Sequence, residues 1–462
     1  MTTRAIFRLM SVLFVSLFLM LSMPVFSAGE AEGSSESASE SGEVDLLGYG
    51  IPYQFAGDEP HMPGYYYWPE FAPHINIEAD DASVSSVLDL VVERIPAGVW
   101  PDFYFLTARD VPRALALGHI APLDDFQESH PEVFDRFTES ALDLYSIDGV
   151  PYALPYTVKP HGLYLNTDVF EAQGVDIPDE DWTWPELVEL AVELTDKPDY
   201  IGWELGPNAW YVLYSMLVSY DADIYVEEDG RRVSNLADDD KAIEAIELFL
   251  DLHHNLGIQY TAEETEEFGI GNAFNEGRLA MRFAGTWTQT WGSWNAGEGE
   301  YRFNTEVLRV PTGPGGRGVF PDGYGVALHP AGNREAAFEA VSHVTSEQWG
   351  DFAIEVAQDN DEIDLATIWN LYYEDDPRMR DGMPPWRGAD ERDVHPAMES
   401  DYRGFLETTQ DFYTFDFDFG TYFEDEDFGL GQYMVAVAEG EMDLVGALRE
   451  FDEWATRNVL ND

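Results

Sequence analysis

Aromatic rings and carboxylates are the abundant functional groups of this 462-residue chain, which holds 13 Trp and 24 Tyr beside 89 Asp and Glu residues. Flat aromatic faces stack on the apolar C–H side of a sugar ring, and carboxylates or amides bind its hydroxyls. The composition is therefore compatible with sugar recognition. For any single tryptophan, however, a place in the core or on the surface is the default interpretation.

Motifs for catalysis, nucleotide binding or metal binding are either absent from the sequence or lack the neighbouring residues that such sites require. The chain contains no G-x-S-x-G, H-E-x-x-H or Walker A motif. The run GPGGRG at 313–318 fits the dinucleotide fingerprint, but a strand pattern follows it where a phosphate-binding helix is required. Two acidic runs between 416 and 429 lack the full spacing of a calcium loop. The sequence thus predicts no catalytic residue, no metal site and no cofactor.

One enzymatic alternative stays open. Paired carboxylates for glycoside hydrolysis cannot be recognised among 89 acidic residues. A secreted carbohydrate-active hydrolase, which would also be aromatic-rich and acidic, is therefore the rival enzyme hypothesis.

The charge balance is extreme, with 24 basic against 89 acidic residues and a formal net charge of −65. Lysine occurs only as Lys159, Lys197 and Lys241. Such a surface repels nucleic acid and anionic lipid headgroups, so neither is expected as a partner. Because the acids are spread from end to end, they indicate adaptation to high salt, where screening weakens their mutual repulsion. We expect a halophilic protein.

The first residues have the pattern of an export signal. Arg4 and Arg8 precede an apolar run from Leu9 to about Met23, and small residues follow near Ala28. We predict a signal peptide at 1–28 and a flexible acidic leader rich in Ser and Gly at 29–43. The chain has no cysteine for a disulfide or a lipid anchor, and no later run is apolar enough to span a bilayer. These features predict a periplasmic protein without stable membrane insertion.

The stretch DGVPYALPYTVKPHGLYLNTDVF, residues 148–170, predicts a passage between two bodies. Its Pro151 and Pro155 cannot donate to a sheet ladder, so this run is an edge or a crossover. A second apolar strand follows, and then a capped helix begins near Thr167. A chain of 462 residues is also too long for one core. An ordinary hairpin inside a single large domain is the alternative.

Other segments read as alternating strands and helices, which favours an α/β fold. The strongest signals are strands at 44–50, 103–106 and 307–310, a capping box at Thr183 and Glu186, and helices at 84–95, 242–256 and 333–345.

Four blocks of the chain resemble extracellular solute-binding proteins of the carbohydrate type (family 1), the receptors of ABC importers. The blocks are D-G-x-x-Y-x-L-P-Y at 148–156, N-x-D at 166–168 followed by T-W-x-E-L at 183–187, the run PDFYFLTARDVPRALALGHIAPLDDF at 101–126, and FNEGRLAMRFAGTW at 274–287.

This resemblance implies a periplasmic-binding-protein fold of two α/β lobes with a ligand cleft between them and crossover hinge segments. The expected lobes are 44–156 with 307–350, and 157–306 with 351–462. The implied function is capture of a sugar or oligosaccharide and its delivery to a membrane permease by a monomer. A receptor for an anionic solute, such as a sugar acid, is the alternative.

Candidate ligand-binding residues follow from the resemblance and from expected position. Trp287, in the G-x-W of the last block, is implied to stand over a sugar ring. Lys159 is singled out because lysine is scarce, and the 65–68 segment is either a ligand platform or a packed aromatic plug. The full candidate set is Trp287, Tyr156, Tyr324, Lys159, Trp210, Asn208, Trp386 and Trp68.

Overall fold

The computed structural model describes residues 44–50, 63–80, 87–204, 209–286, 288, 293–295, 300–320, 322–360, 383–388, 399–414, 417, 419–424 and 429–461. The predicted signal peptide (1–28) and leader (29–43) lie outside this range. Within the described part, no helix is both long enough and apolar enough to cross a membrane.

The strands are short, as is usual for a mixed α/β protein. They are β1 (Val44–Tyr49), β2 (Ile75–Asp80), β3 (Phe103–Thr107), β4 (Ser146–Ile147), β5 (Val150–Pro151), β6 (Ala153–Lys159), β7 (His161–Asn166), β8 (Ile201–Glu204), β9 (Tyr225–Glu228), β10 (Arg231–Ser234), β11 (Leu279–Gly285), β12 (Trp294–Asn295), β13 (Glu300–Tyr301), β14 (Thr305–Leu308) and β15 (Asp322–Leu328).

The helices lie between these strands and at the end of the chain. They are α1 (Pro63–Phe71), α2 (Val87–Arg94), α3 (Val111–Ala116), α4 (Asp124–Ser129), α5 (Pro131–Phe134), α6 (Glu139–Asp143), α7 (Thr167–Gln173), α8 (Trp184–Glu193), α9 (Ala209–Ser219), α10 (Asp240–Leu250), α11 (Ala262–Phe268), α12 (Arg334–Val344), α13 (Glu347–Asp359), α14 (Glu399–Thr408), α15 (Phe419–Glu424), α16 (Leu430–Ala438) and α17 (Leu444–Asn458).

The first lobe is built on a five-stranded sheet of described residues in the order β2-β1-β3-β15-β6. Its central strand β3 is buried throughout. Phe103 and Phe105 face one core, and Tyr104 and Leu106 face the core on the other side. A strand buried on both faces needs apolar residues at every position, which explains the continuous run FYFL.

The second lobe is built on a sheet of described strands in the order β14-β7-β11-β8. Successive side chains of β7 alternate between two cores, with Leu163 and Leu165 on one face and Tyr164 on the other. The helix α8 that covers one face begins with the predicted capping box, since Thr183 and Glu186 bond reciprocally.

The stretch 148–170 passes from one sheet to the other, as predicted. Strand β6 is the edge strand of the first sheet and β7 belongs to the second. Pro160 stands between them and has no N–H to continue either ladder. The alternative of a hairpin within one domain is therefore wrong, and the prediction of a two-lobe α/β fold is confirmed.

The expected lobe boundaries stay predictions, and three elements of the structure lie across them. Strand β6 continues to Lys159 beyond the expected 156, and β14 pairs with β7, so the return segment begins after Leu308. Helix α13 runs past the expected boundary at 350. It packs on α1 through Trp349, because its amphipathic face continues beyond its Ser346 cap.

Candidate functional site

The candidate site is the edge where the two sheets approach each other at residues 159–161. Strands β1 and β3 are parallel, and β15 is antiparallel to both β3 and β6, so β1, β3 and β6 all end at this edge. In the second sheet β8 and β11 are parallel, and Gly285 at the end of β11 pairs with His161 at the start of β7. Ligands of open α/β sheets bind at the carboxyl ends of the strands.

Lys159 and Tyr324, both predicted from the sequence, meet at this edge. The Lys159 ammonium lies 4.0 Å from the centroid of the Tyr324 ring, a cation–π contact, and Lys159 is only 4% exposed. In the ladder, Lys159 stands opposite Asp322, the first residue of β15. The chain therefore places a buried cation, an aromatic ring and a carboxylate in adjacent positions.

Tight packing holds β15 at this edge. A Cβ atom at Gly325 would come within 2.5 Å of the Tyr145 ring, and one at Gly323 within 2.4 Å of the Thr157 carbonyl oxygen. The Tyr324 N–H donates to the Thr157 hydroxyl at 3.2 Å. Glycines on both sides of Tyr324 thus allow the strand to approach Tyr145 closely.

His161 lies at the centre of a cluster of aromatic rings under the crossover. Its ring stacks on Phe283 at 5.6 Å and meets Tyr211 edge-on at 4.5 Å. Burial, helped by the nearby Lys159 charge and opposed by a backbone hydrogen bond at Phe320, lowers the pKa of His161 to about 3. The imidazole is therefore neutral at pH 7, which suits a ring enclosed by Phe283, Tyr211 and Phe320.

Trp210 joins this cluster from α9. Its ring centroid lies 4.6 Å from that of Phe320 and 4.0 Å from that of Tyr211, and the residue is 8% exposed. Of the predicted residues, the fold thus brings Lys159, Tyr324 and Trp210 to the crossover region.

A charged pair in the second lobe was not anticipated from the sequence. Glu204, the last residue of β8, pairs in register with Arg282 of β11. Burial raises the pKa of Glu204, and the Arg282 charge opposes that rise. An arginine inside the apolar run LAMRFAG was the available signal, because a buried charge requires a partner.

Next to Arg282, the hydroxyl of Tyr164 is anchored inside the second lobe. It lies 3.0 Å from the Ser293 hydroxyl, and burial raises the Tyr164 pKa well above its usual value. Tyr164 belongs to β7 of the second sheet, and Ser293 follows Trp287 in the chain, so this contact links the sheet to the chain beyond Trp287.

A small cavity of about 200 Å³ opens beside the carboxyl end of β3. Pro112 and Phe419 offer it apolar surface, and Asp143 and Asp148 offer carboxylates. Its walls come from both lobes, since Val111 belongs to a first-lobe core and Phe419 to a second-lobe core. The volume is below the roughly 300–1,000 Å³ of typical small-molecule sites, which suits one subsite of a larger cleft.

Of the remaining five predicted residues, three lie in the first lobe and two lie outside the residues that the structure describes. Tyr156 is fully buried with its ring edge-on to Phe105 at 5.1 Å. Trp68 stacks on Trp349 at 6.2 Å, and the Trp386 indole N–H donates to the Thr345 carbonyl at 2.9 Å. Each of these three residues has a packing role, and its part in ligand binding stays a prediction.

Trp287 and Asn208 lie outside the described residues. In the described ranges, no group of three or more His, Asp or Glu side chains is arranged to hold a metal ion.

Comparison with known families gives one match that spans most of the chain. A family model described as "Bacterial extracellular solute-binding protein" matches residues 60–351. A binding protein of Brucella abortus is 23% identical over 287 residues, which are 60% of this chain and 66% of that protein. An arabinooligosaccharide-binding protein of Halalkalibacterium halodurans is 26% identical over 134 residues, 29% of this chain and 28% of that protein.

Comparison with solved structures shows the same fold. An ABC substrate-binding protein of Listeria monocytogenes, solved in complex with cycloalternan, superposes with a TM-score of 0.65 at 16% identity. The superposition covers 90% of this chain and 98% of the Listeria protein. The two chains therefore share a fold over most of their lengths.

Proposed function

Because the chain belongs to the bacterial extracellular solute-binding protein family, we propose that it captures a sugar or oligosaccharide outside the cytoplasm and delivers it to an ABC importer permease. The main observation that supports this proposal is that the carboxyl edges of both sheets meet at residues 159–161. A solute held there contacts both lobes. It therefore stabilises the closed arrangement relative to the open one.

The chemistry of this edge supports a sugar. It combines aromatic rings, a carboxylate at Asp322 and a half-buried carboxylate at Glu204. The relatives and structural neighbours named above include proteins that bind arabinooligosaccharide and cycloalternan. Lys159 supports the alternative of an anionic solute such as a sugar acid, since it is a buried cation at the same edge.

The family consists of binding proteins, and we propose that this member has no hydrolase activity. We further propose that residues 1–28 direct export, that the protein resides in the periplasm without a lipid anchor, and that it works as a monomer. Adaptation to high salt belongs to the same proposal, given the net charge of −65.

A panel of solutes tests the proposed function directly. We expect a neutral oligosaccharide to raise the melting temperature, with an affinity near micromolar, about −8 kcal/mol. At a ligand concentration 100 times Kd the folded state gains about 2.7 kcal/mol. The measurement is a thermal shift over neutral sugars and sugar acids, followed by calorimetric titration and product analysis. A shift with sugar acids alone would select the anionic alternative, and cleaved sugar would select the hydrolase.

The salt requirement forms a separate prediction. Dialysis into low salt is expected to lower the free energy of unfolding, because unscreened carboxylates repel each other across the surface. Urea unfolding from millimolar to molar NaCl measures this. Lowering the pH toward about 4 at low salt should recover part of the loss by protonating carboxylates. A midpoint that does not change with salt would contradict the halophilic interpretation.

A further inference from the structure

A second cavity, which lies within the first lobe, is at the edge of the first sheet opposite the candidate site. We call it the first-lobe cavity, and its volume is about 640 Å³. It is lined by Val44, the first residue of β1, and by His74, which precedes β2 and whose carbonyl accepts from the Val44 N–H at 2.7 Å. Because β1, β3 and β6 end at the other edge, this cavity is separate from the crossover site.

One wall of the first-lobe cavity is apolar and rigid. Val133, Ala336 and Phe338 contribute to it. The Phe338 ring stacks on Phe126 at 4.1 Å with an interplanar angle of 5°, so packing fixes its orientation. This wall offers a flat surface for an apolar group.

The deeper part of the cavity carries Arg136. Its Nη2 donates to the Ser342 carbonyl at 2.8 Å, and its guanidinium rests 5.1 Å from the Phe137 ring centroid. The Arg136 Nε is buried and has no acceptor among the described residues. The Nε itself has almost no accessible surface, so an oxyanion in the cavity would pair with the guanidinium through its positive charge rather than through this N–H.

The same cavity is lined by three histidines, His74, His130 and His343. The Nδ1 of His343 lies 2.9 Å from the Tyr67 hydroxyl. Burial lowers the pKa of His343; Arg136 and His74 lower it further, and Glu339 opposes them. A lowered pKa keeps His343 neutral at pH 7, so Arg136 supplies the positive charge that attracts an anion and His343 can contribute a hydrogen bond.

The acidic residues of the cavity stand at its mouth. Glu335 and Glu339 are exposed, and Glu339 pairs with His74 at 3.1 Å, where both side chains are 46% exposed. Solvent screens charges in such positions. Three of the ten histidines and one arginine thus line one cavity of a chain that has 24 Lys and Arg residues against 89 Asp and Glu residues.

We propose that the first-lobe cavity is a second binding site, which takes a small amphipathic organic acid. Its carboxylate binds Arg136 and His343, and its apolar part lies against Val133 and Phe338. The site is independent of sugar capture at the crossover. It does not depend on the identity of the captured solute.

Calorimetric titration with benzoate tests this site in the full mature protein. Benzoate supplies both a carboxylate and a ring, benzyl alcohol keeps the ring without the charge, and acetate keeps the charge without the ring. We expect benzoate to bind at one site per chain and to bind at least about tenfold more tightly than either reduced probe.

Two variants address the cavity in different ways. Arg136→Met removes the guanidinium at similar volume, and Ala336→Phe fills the cavity while leaving its charges in place. We expect the first to weaken benzoate at least about tenfold and the second to abolish its binding, with the sugar affinity of Ala336→Phe unchanged. Arg457→Met, at an exposed arginine of α17, is the matched control and should bind benzoate normally.

Circular dichroism of each variant measures whether it is folded. Ala336→Phe keeps the test decisive if the loss of Arg136 disturbs the fold. Absence of benzoate binding by the unaltered protein would overturn the proposal. So would an equal affinity for benzyl alcohol, or unchanged benzoate affinity in Ala336→Phe.

Discussion

Replacing Trp287 by alanine is expected to weaken solute binding by about 2–4 kcal/mol, roughly 30- to 700-fold in Kd, while the protein stays folded. Gly285, two residues earlier, pairs with His161 at the crossover, so β11 leads directly into this segment. A ring face at that point would stack on a sugar ring held between the lobes, as the family resemblance implies. The measurement is the solute Kd from calorimetry beside the melting temperature of the same variant.

The matched control for Trp287→Ala is Trp349→Ala. Trp349 is fully buried in the first-lobe core, so its loss should cost about 3–5 kcal/mol of stability and leave the affinity of the folded fraction intact. If Trp287→Ala behaves in the same way as Trp349→Ala, Trp287 is a core residue and its assignment to the cleft is wrong.

Replacing Asp411 by alanine is expected to cost about 3 kcal/mol of the free energy of unfolding. The Asp411 carboxylate accepts from Arg309 Nε at 2.8 Å and also from Arg309 Nη2, and the two side chains are 6% and 25% exposed. The Asp411 carbonyl accepts from the Val319 N–H at 2.8 Å. The residue thus ties the end of β14 to the segment that returns to the first sheet, and its loss leaves Arg309 without that carboxylate.

Chemical denaturation of Asp411→Ala measures this cost, and Glu453→Ala provides the matched control. Glu453 also pairs with an arginine, Arg457 at 2.9 Å, but both side chains are largely exposed. Such pairs contribute roughly 0–1 kcal/mol, so this control should unfold close to the unaltered protein. Equal midpoints for the two variants would show that the Arg309 pair carries no special weight at the junction.

Local patterns predicted those parts of the fold whose residues carry their own signal. The continuous apolar run at Phe103 predicted a strand, and β3 is a strand that is buried throughout. Pro151 and Pro155 predicted an edge or crossover, and β6 lies at the edge of its sheet. The helix α13 differs, because nothing within the sequence around residue 350 says that its face continues onto α1.

Site residues were harder to predict because their positions depend on distant parts of the chain. His161 carried no signal of its own, and its neutral state arises from burial among Tyr211, Phe283 and Phe320. Glu204 becomes a site candidate only because β8 lies beside β11 and places it next to Arg282.

By itself, the sequence determined the family, the α/β class and the passage at residues 148–170, because ordered motifs and proline positions act through the local backbone. It also determined the net charge of −65, which depends on composition alone. Only the tertiary structure decided that Trp68 and Trp386 pack within the first lobe while Lys159 lies against Tyr324. The physical reason is that burial and pairing are set by which strands become neighbours, and sequence spacing does not encode that adjacency.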